Sequence, residues 1–172
     1  DAKEIYNLIV EKGKKYQLSN CGMHAMDIMR METGFLHWGH DISPEENQYE
    51  AGLNFAISFK KNIDFIGKKT LLKLKEIKQK KKFLMLTLTQ SKPGEPLMLH
   101  DEPIYIEGKI VGRTTSGNYS FNFNKNLAFG YVKTDEDLEL IKGKLIEIEI
   151  EKKKYKAEVL TKPLNSKDFK KL

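Results

Sequence analysis

Cysteine and histidine are the side chains best suited to hold a borderline metal ion, and this sequence concentrates its supply in one stretch. Cys21-x2-His24 and His37-x2-His40, twelve residues apart, use the only cysteine and three of the four histidines. As a ligand set this would be one thiolate and three imidazoles. Structural zinc prefers four cysteines, three with one histidine, or two of each, with terminal histidines spaced about three to five residues apart. The pattern departs from that rule in both composition and spacing, and Cys21 and His24 straddle an expected helix start. No metal site is therefore expected. Nor does the local spacing support a Cys–His nucleophile, whose partners are brought together by the fold rather than by sequence proximity. His100, in a loop between Pro96 and Pro103, has no evident partner.

A second constellation lies inside the same stretch. His24, Asp27 and Arg30 follow one another at i, i+3 spacing, so on a helix they share one side. Asp27 and Arg30 could be a plain surface pair, worth about 0.2–0.5 kcal/mol. Alternatively, a carboxylate could hold the guanidinium so that its planar fork grips an anionic ligand. The cation usage draws attention to this residue. Of 30 basic residues only Arg30 and Arg113 are arginine, leaving 28 lysines. A chain that writes nearly every cation as lysine keeps arginine where bidentate geometry is needed.

The elements that must position these residues are readable from periodicity. Residues 2–15 have the spacing of an amphipathic helix ending near Gly13. Met23, Met26 and Met29 place a second helix over Met23–Glu32, with Asn20 as a candidate cap and Gly34 as a stop. Leu53, Phe55, Ile57 and Phe59 alternate as in a half-buried strand. Phe65–Lys82 reads as a third helix, with Leu71, Leu72, Leu74 and Ile77 facing inward. From Phe83 the period becomes that of strands: Phe83–Thr89, Pro103–Glu107, Ile110–Thr115, Ala128–Val132, Leu145–Glu151 and Tyr155–Leu160. Glu107-Gly108-Lys109 is a tight hairpin turn. Glu147 and Glu149 are expected opposite lysines of the following strand on a wet face. Short strands at regular intervals predict a small, closed or nearly closed barrel. The expected organisation is a segment over 1–82 and a barrel domain over 83–172, with no internal repeat.

Composition excludes several classes. At 172 residues the chain can bury a real core, and 40% hydrophobic with 31% charged residues is ordinary for a globular protein. A single cysteine excludes an internal disulfide framework and fits a reducing compartment. No apolar run approaches the length of a membrane span, so no membrane association is expected. The net charge of +6 comes from lysine clusters without the aromatic interleaving of nucleic-acid platforms, so no nucleic-acid partner is expected. The sequence opens Asp1-Ala2-Lys3 with helical spacing from its first turn, which suggests a part of a longer polypeptide.

Ala25-Met26-Asp27-Ile28-Met29-Arg30-Met31-Glu32-Thr33-Gly34 resembles the A-x-D-x-x-R-x-E-x-G helix of the glycine cleavage T-protein (aminomethyltransferase) family. Further similarities follow in order: Trp38-Gly39-His40-Asp41-Ile42, Glu50-Ala51-Gly52-Leu53, Asp64-Phe65-Ile66-Gly67-Lys68, Gly94-Glu95-Pro96, Glu102-Pro103-Ile104, Val111-Gly112, Thr115-Ser116-Gly117 and Gly130-Tyr131-Val132. W-G-H-D-I, then E-A-G-L and D-F-I-G, looks most like the folate-binding C-terminal part of dimethylglycine and sarcosine dehydrogenases. The K-G-C-Y-x-G-Q-E segment of the branch acting in iron–sulfur maturation is absent.

The resemblance implies an α+β fold: the C-terminal part of a T-protein-like α/β folate-binding domain (1–82), followed by a small antiparallel β-barrel (83–172). It implies a parent enzyme that passes a one-carbon unit from an N-methyl amine or its iminium to tetrahydrofolate, with FAD only in an upstream part if a dehydrogenase. A free glycine cleavage T-protein, or a non-catalytic folate-binding or docking module, is the alternative. The partners implied are folate, an N-methylated amino acid, and the N-terminal remainder of the polypeptide or a partner subunit. The compartment is cytoplasmic, or the mitochondrial matrix in a eukaryote. By position, Arg30 and Trp38 fall at the folate site, His37 and His40 in the turn after the arginine helix. Glu32 would hold that helix to the rest of the fold. The family's catalytic aspartate and pterin-binding glutamate match no position here, so no catalytic residue is assigned. Lys162–Phe169 lacks the T-protein's terminal tyrosine pattern, though it is similar to the dehydrogenase tails. Arg113 has no transferable role and is expected to be a surface cation.

Overall fold

The computed structural model describes residues 1–61 and 63–165. Its centre is a closed barrel of six strands: β1 (Lys81–Leu88), β2 (Pro103–Ile106), β3 (Lys109–Ser120), β4 (Lys125–Lys133), β5 (Ile146–Ile150) and β6 (Lys153–Leu160). They close in the order β1-β4-β3-β2-β5-β6, every pair antiparallel. Closure removes exposed strand edges. Alternation decides what fills the interior: Leu84, Leu86 and Leu88 point inward from β1, and Ile146, Ile148 and Ile150 from β5. Ile141, on the short helix α4 (Leu138–Lys142), joins this core. Glu147 and Glu149 pair across to Lys156 and Lys154 on the outside, as the alternation predicts. The Glu107-Gly108 turn has both residues at positive φ, the geometry of a two-residue hairpin.

Helix α1 spans Ala2–Gly13 and continues as a short 3-10 turn over Lys14–Tyr16. Helix α2 covers Met23–Glu32, the span the methionine spacing predicts. It lies on the outer face of the barrel, where Met31 packs with Leu127 and Phe129 in a second apolar cluster supported by Ile28, Phe83 and Met85. Asn20 does not cap it; its side-chain amide donates to the Tyr6 hydroxyl at 2.8 Å, and Gly22 occupies the cap position.

Two expected elements differ. Residues 53–59 form no strand; a 3-10 turn spans Asn54–Ala56 and Phe55 faces solvent. Their alternation is real, but a strand requires a ladder partner and none of the described strands runs beside it. The third helix, α3, covers only Lys68–Lys75, and Leu72 and Ile77 are exposed. The Gln79 side-chain amide donates to the carbonyls of Leu74 (3.0 Å) and Ile77 (2.8 Å), terminating the helix. The Thr134 amide then bonds the Lys80 carbonyl at 2.8 Å as the chain enters β1. The lysines at the end of the expected helix thus begin the barrel. The tail Ser166–Phe169, and the lysines at 167, 170 and 171, lie outside the described residues.

Candidate functional site

The site is built where α2 crosses β3, and the turn after α2 closes over both. Gly34, at φ +78, ends the helix, and the Phe35 amide bonds back to the Arg30 carbonyl at 2.8 Å. The chain then curls: the His37 carbonyl accepts the amides of His40 (3.2 Å) and Asp41 (2.8 Å), with Gly39 at φ +87 in between. This curl turns Asp41 inward, where its side chain is fully buried (0% exposed).

Asp41 organises the site. Its Oδ2 accepts the Arg30 Nη1–H and, at 2.9 Å, the His37 amide. Its Oδ1 accepts the hydroxyls of Thr115 (2.5 Å) and Ser116 (2.8 Å). Adjacent strand residues normally point to opposite faces, so two consecutive hydroxyls on one oxygen need an explanation. The β3–β4 register shifts between Thr114 and Ser116, leaving Thr115 unpaired in a bulge, and such a bulge re-aims side chains. Burial of a carboxylate is sustained only by this kind of complete satisfaction.

Arg30 is equally engaged. Its Nε–H and Nη2–H both donate to Asp27 Oδ1 (2.8 and 2.6 Å), the other Nη2–H to Ser116 Oγ (2.6 Å), and Nη1 to Asp41 and the Phe35 carbonyl (3.2 Å). A guanidinium has five N–H donors, and all five meet protein oxygens. One face of the group lies over the Phe129 ring, 5.4 Å from its centroid. The side chain, 14% exposed, is part of the wall of a cleft. The fork expected to grip a free carboxylate is thus already holding two of the protein's own, Asp27 and Asp41.

That cleft, about 370 Å³, runs along α2 and the following turn towards the loop at Leu99. Its lining combines apolar side chains, Met23, Met26, Leu36 and Leu99, with polar ones, Asp27, Arg30, Thr115 and Ser116. All four histidines line it, including His100, for which the sequence offered no partner and whose ring lies 2.9 Å from Asp101. His37 and His40 stack with centroids 4.6 Å apart, and Cys21 is exposed. No group of three His, Cys, Asp or Glu side chains positioned for a metal ion occurs among the described residues. Trp38 stands on the turn, 65% exposed, with its indole open to solvent.

Glu32 does what the resemblance implies. It is buried, accepts the Ser120 hydroxyl at 2.6 Å and the Asn122 side-chain amide at 2.9 Å, and ties the end of α2 to the end of β3. Alternate residues of β3 thus hold α2: Ser116 bonds Arg30, Asn118 the His24 carbonyl at 3.2 Å, and Ser120 Glu32. The sequence reading missed Asp41 as the centre and Thr115 and Ser116 as its partners. The only signal was that W-G-H-D-I and T-S-G are both family blocks, and nothing in their separation showed that they touch.

Nearby, Glu46 pairs with Lys81 and accepts the Ser43 hydroxyl at 2.7 Å. Burial alone would raise its pKa, but the bonds from Lys81 and Ser43 outweigh it and hold the carboxyl below its ordinary value.

Comparison with known proteins agrees with the layout. Residues 1–61 match the GCVT N-terminal domain and residues 81–165 the glycine cleavage T-protein C-terminal barrel domain. Human dimethylglycine dehydrogenase is 35% identical over 164 residues, covering 95% of this chain and 18% of its own length. The aminomethyltransferase of Symbiobacterium thermophilum is 32% identical over 163 residues, covering 95% of this chain and 42% of its own. The crystal structure of aminomethyltransferase T from Bartonella henselae superposes with a TM-score of 0.78 at 23% identity, over 92% of this chain and 43% of that one. The chain spans less than half the length of each of these relatives.

Proposed function

The chain belongs to the glycine cleavage T-protein family, and from that premise we propose that it supplies one side of a tetrahydrofolate site in a one-carbon transfer enzyme. The parent protein would move the one-carbon unit of an N-methyl amine, at the iminium level, onto tetrahydrofolate to give 5,10-methylenetetrahydrofolate. The observation that carries this reading is the cleft between α2 and β3. Asp27, Arg30, His40, Thr115 and Ser116 in its lining come from the blocks shared with the family, and a lining that combines apolar with polar side chains suits a ligand with an aromatic body and a charged end.

The residues fit folate unevenly. Met23, Met26, Leu36 and Leu99 offer apolar surface for a ring system, whereas Trp38, exposed on the turn, is not among the residues lining the cleft. Arg30 would meet the ligand with its guanidinium plane, since its N–H edge is spent on Asp27, Asp41, Ser116 and the Phe35 carbonyl. Asp41 fixes that plane and the turn carrying Trp38 in one arrangement, which is preorganisation in the physical sense. None of these groups is assigned to proton or carbon transfer. Any FAD chemistry belongs to a part of the protein outside this chain.

Ile5, Leu8 and Ile9 on α1, and Met29 on α2, are about half exposed and lie outside the cleft lining. Such a face suits burial against the remainder of the same polypeptide or a partner subunit. A reducing compartment, cytoplasm or mitochondrial matrix, completes the reading; no helix among the described residues is long and apolar enough to cross a membrane.

The test is direct. Purified full-length gene product is titrated with tetrahydrofolate, and 5,10-methylenetetrahydrofolate is measured with dimethylglycine or sarcosine as donor. Turnover with a methylated amine supports the dehydrogenase type, and tetrahydrofolate binding without such turnover a free aminomethyltransferase or a non-catalytic folate-binding module. Failure to bind tetrahydrofolate refutes the reading.

A further inference from the structure

A second cleft adjoins the first. It is larger, about 800 Å³, and the two share His40 and Thr115 in their walls. Its floor is the outer face of β1, β4 and β3, and the strand register shows which side chains project there. Lys81 lies directly opposite Lys133, and Tyr131 directly opposite Arg113. Directly paired side chains share a face.

Three features of this floor are unresolved by the protein itself. Two lysines placed opposite each other repel. Glu46 relieves Lys81, but Lys133 has no ion-pair partner among the described residues. Arg113 is 73% exposed, and its one ion pair among the described residues, Nη1 to Asp101 at 3.0 Å, leaves most of its fork open. Tyr131 is only 7% exposed, yet its hydroxyl has no hydrogen-bond partner among the described residues. A buried hydroxyl without a partner is costly, and a native structure that keeps one invites a ligand acceptor. Burial, with Glu46, Asp41 and Glu50 nearby, raises the pKa of this hydroxyl above its ordinary value, so it remains a neutral donor.

We propose that this second cleft takes the carboxylate end of the ligand whose ring system occupies the first, with Arg113 and Lys133 as its cations and the Tyr131 hydroxyl as a third donor. This rests on the folate reading above and reassigns the carboxylate partner from Arg30, whose donors are consumed, to the chain's other arginine. The ligand passes from one cleft to the other across His40 and Thr115. Glu46 faces the same space but is neutralised by Lys81, and Glu45, at the rim, is the other carboxylate among the lining residues. With Lys81 held by Glu46 and Arg113 paired with Asp101, it is the donors of Arg113 that Asp101 leaves open and the ammonium of Lys133, rather than an excess of charge, that would select an anion.

The experiment compares tetrahydrofolate with tetrahydropteroate, which lacks the glutamate, in the full-length gene product. Wild type is expected to bind tetrahydrofolate about tenfold more tightly, the worth of one charge-assisted bond. In the double variant Arg113→Ala/Lys133→Ala that difference should fall below about threefold, with tetrahydropteroate binding unchanged. Tyr131→Phe should shrink the difference in the same direction without lowering the unfolding temperature, since no protein bond is lost. Equal binding of the two ligands by wild type would overturn this proposal and leave the folate reading standing. A difference that survives the double variant would also overturn it. If wild type binds neither ligand, the folate reading fails first and this one with it.

Discussion

Arg30→Lys keeps the charge and removes the geometry, so it tests whether the Asp27–Arg30–Asp41 arrangement is what holds α2 and the following turn to β3. Arginine makes five hydrogen bonds here; an ammonium has three donors and cannot span Asp27, Asp41, Ser116 and the Phe35 carbonyl at once. At least two acceptors lose a charged donor, each worth about 1.5–3 kcal/mol, and partial rearrangement brings the expected loss to about 3 kcal/mol. For a domain of this size that corresponds to a fall of about 6–12 °C in unfolding temperature. Arg30→Ala should cost at least as much, because it leaves the fully buried Asp41 carboxylate without its cation, a loss of about 3–5 kcal/mol. Asp27→Ala removes a more exposed partner and should cost about 1 kcal/mol. The assay is thermal unfolding by circular dichroism, with fluorescence of Trp38, the single tryptophan, reporting on the turn that Asp41 locks. A shift under about 2 °C for Arg30→Lys would refute the argument. So would a larger effect from Asp27→Ala than from Asp41→Ala.

Three further outcomes are expected. Because the Glu46 pKa lies below its ordinary 4.5, its pairing stabilises the fold above that pH and the contribution disappears as pH falls through the folded value; Lys81→Met should therefore move the midpoint of acid unfolding to higher pH, and an unchanged midpoint would count against the pair. The β5–β6 turn places Glu151 and Lys152 at φ +50 and +63, a conformation costing ordinary residues about 1 kcal/mol each, so Glu151→Asn/Lys152→Gly should raise the unfolding temperature by about 4–8 °C. Limited proteolysis should cut between the end of α3 at Lys75 and the start of β1 at Lys81, releasing a folded barrel; uniform digestion without that intermediate would show that the barrel does not stand alone.

The barrel was legible because each of its strands carries its own alternation and its own turn. Ile146, Ile148 and Ile150 must face one way whatever their neighbours do, and the opposing glutamates and lysines fix the register of β5 and β6. The region before it was less legible. Residues 53–59 alternate as a strand would, but whether a strand forms is decided by a partner ladder, which is not local information. The end of α3 was decided by the Gln79 side chain reaching back to two carbonyls, against a lysine-rich run whose helix propensity continues.

The site divides along the same line. Arg30 could be singled out because its neighbours lie at helical spacing and because the chain so rarely uses arginine. What holds Arg30 could not be seen, since Asp41 reaches it through a glycine-dependent curl and Ser116 through a bulge in a strand distant in sequence. The same geometry changes what the rarity of arginine means. One of the two arginines is committed to organising the protein, with every donor satisfied internally. The other, Arg113, holds Asp101 by one nitrogen and projects from the barrel beside a tyrosine hydroxyl and a lysine that have no partner among the described residues. Arginine is needed in both places for its fork, but only an open fork can discriminate a ligand, and its exposure rather than its motif marks where that fork is.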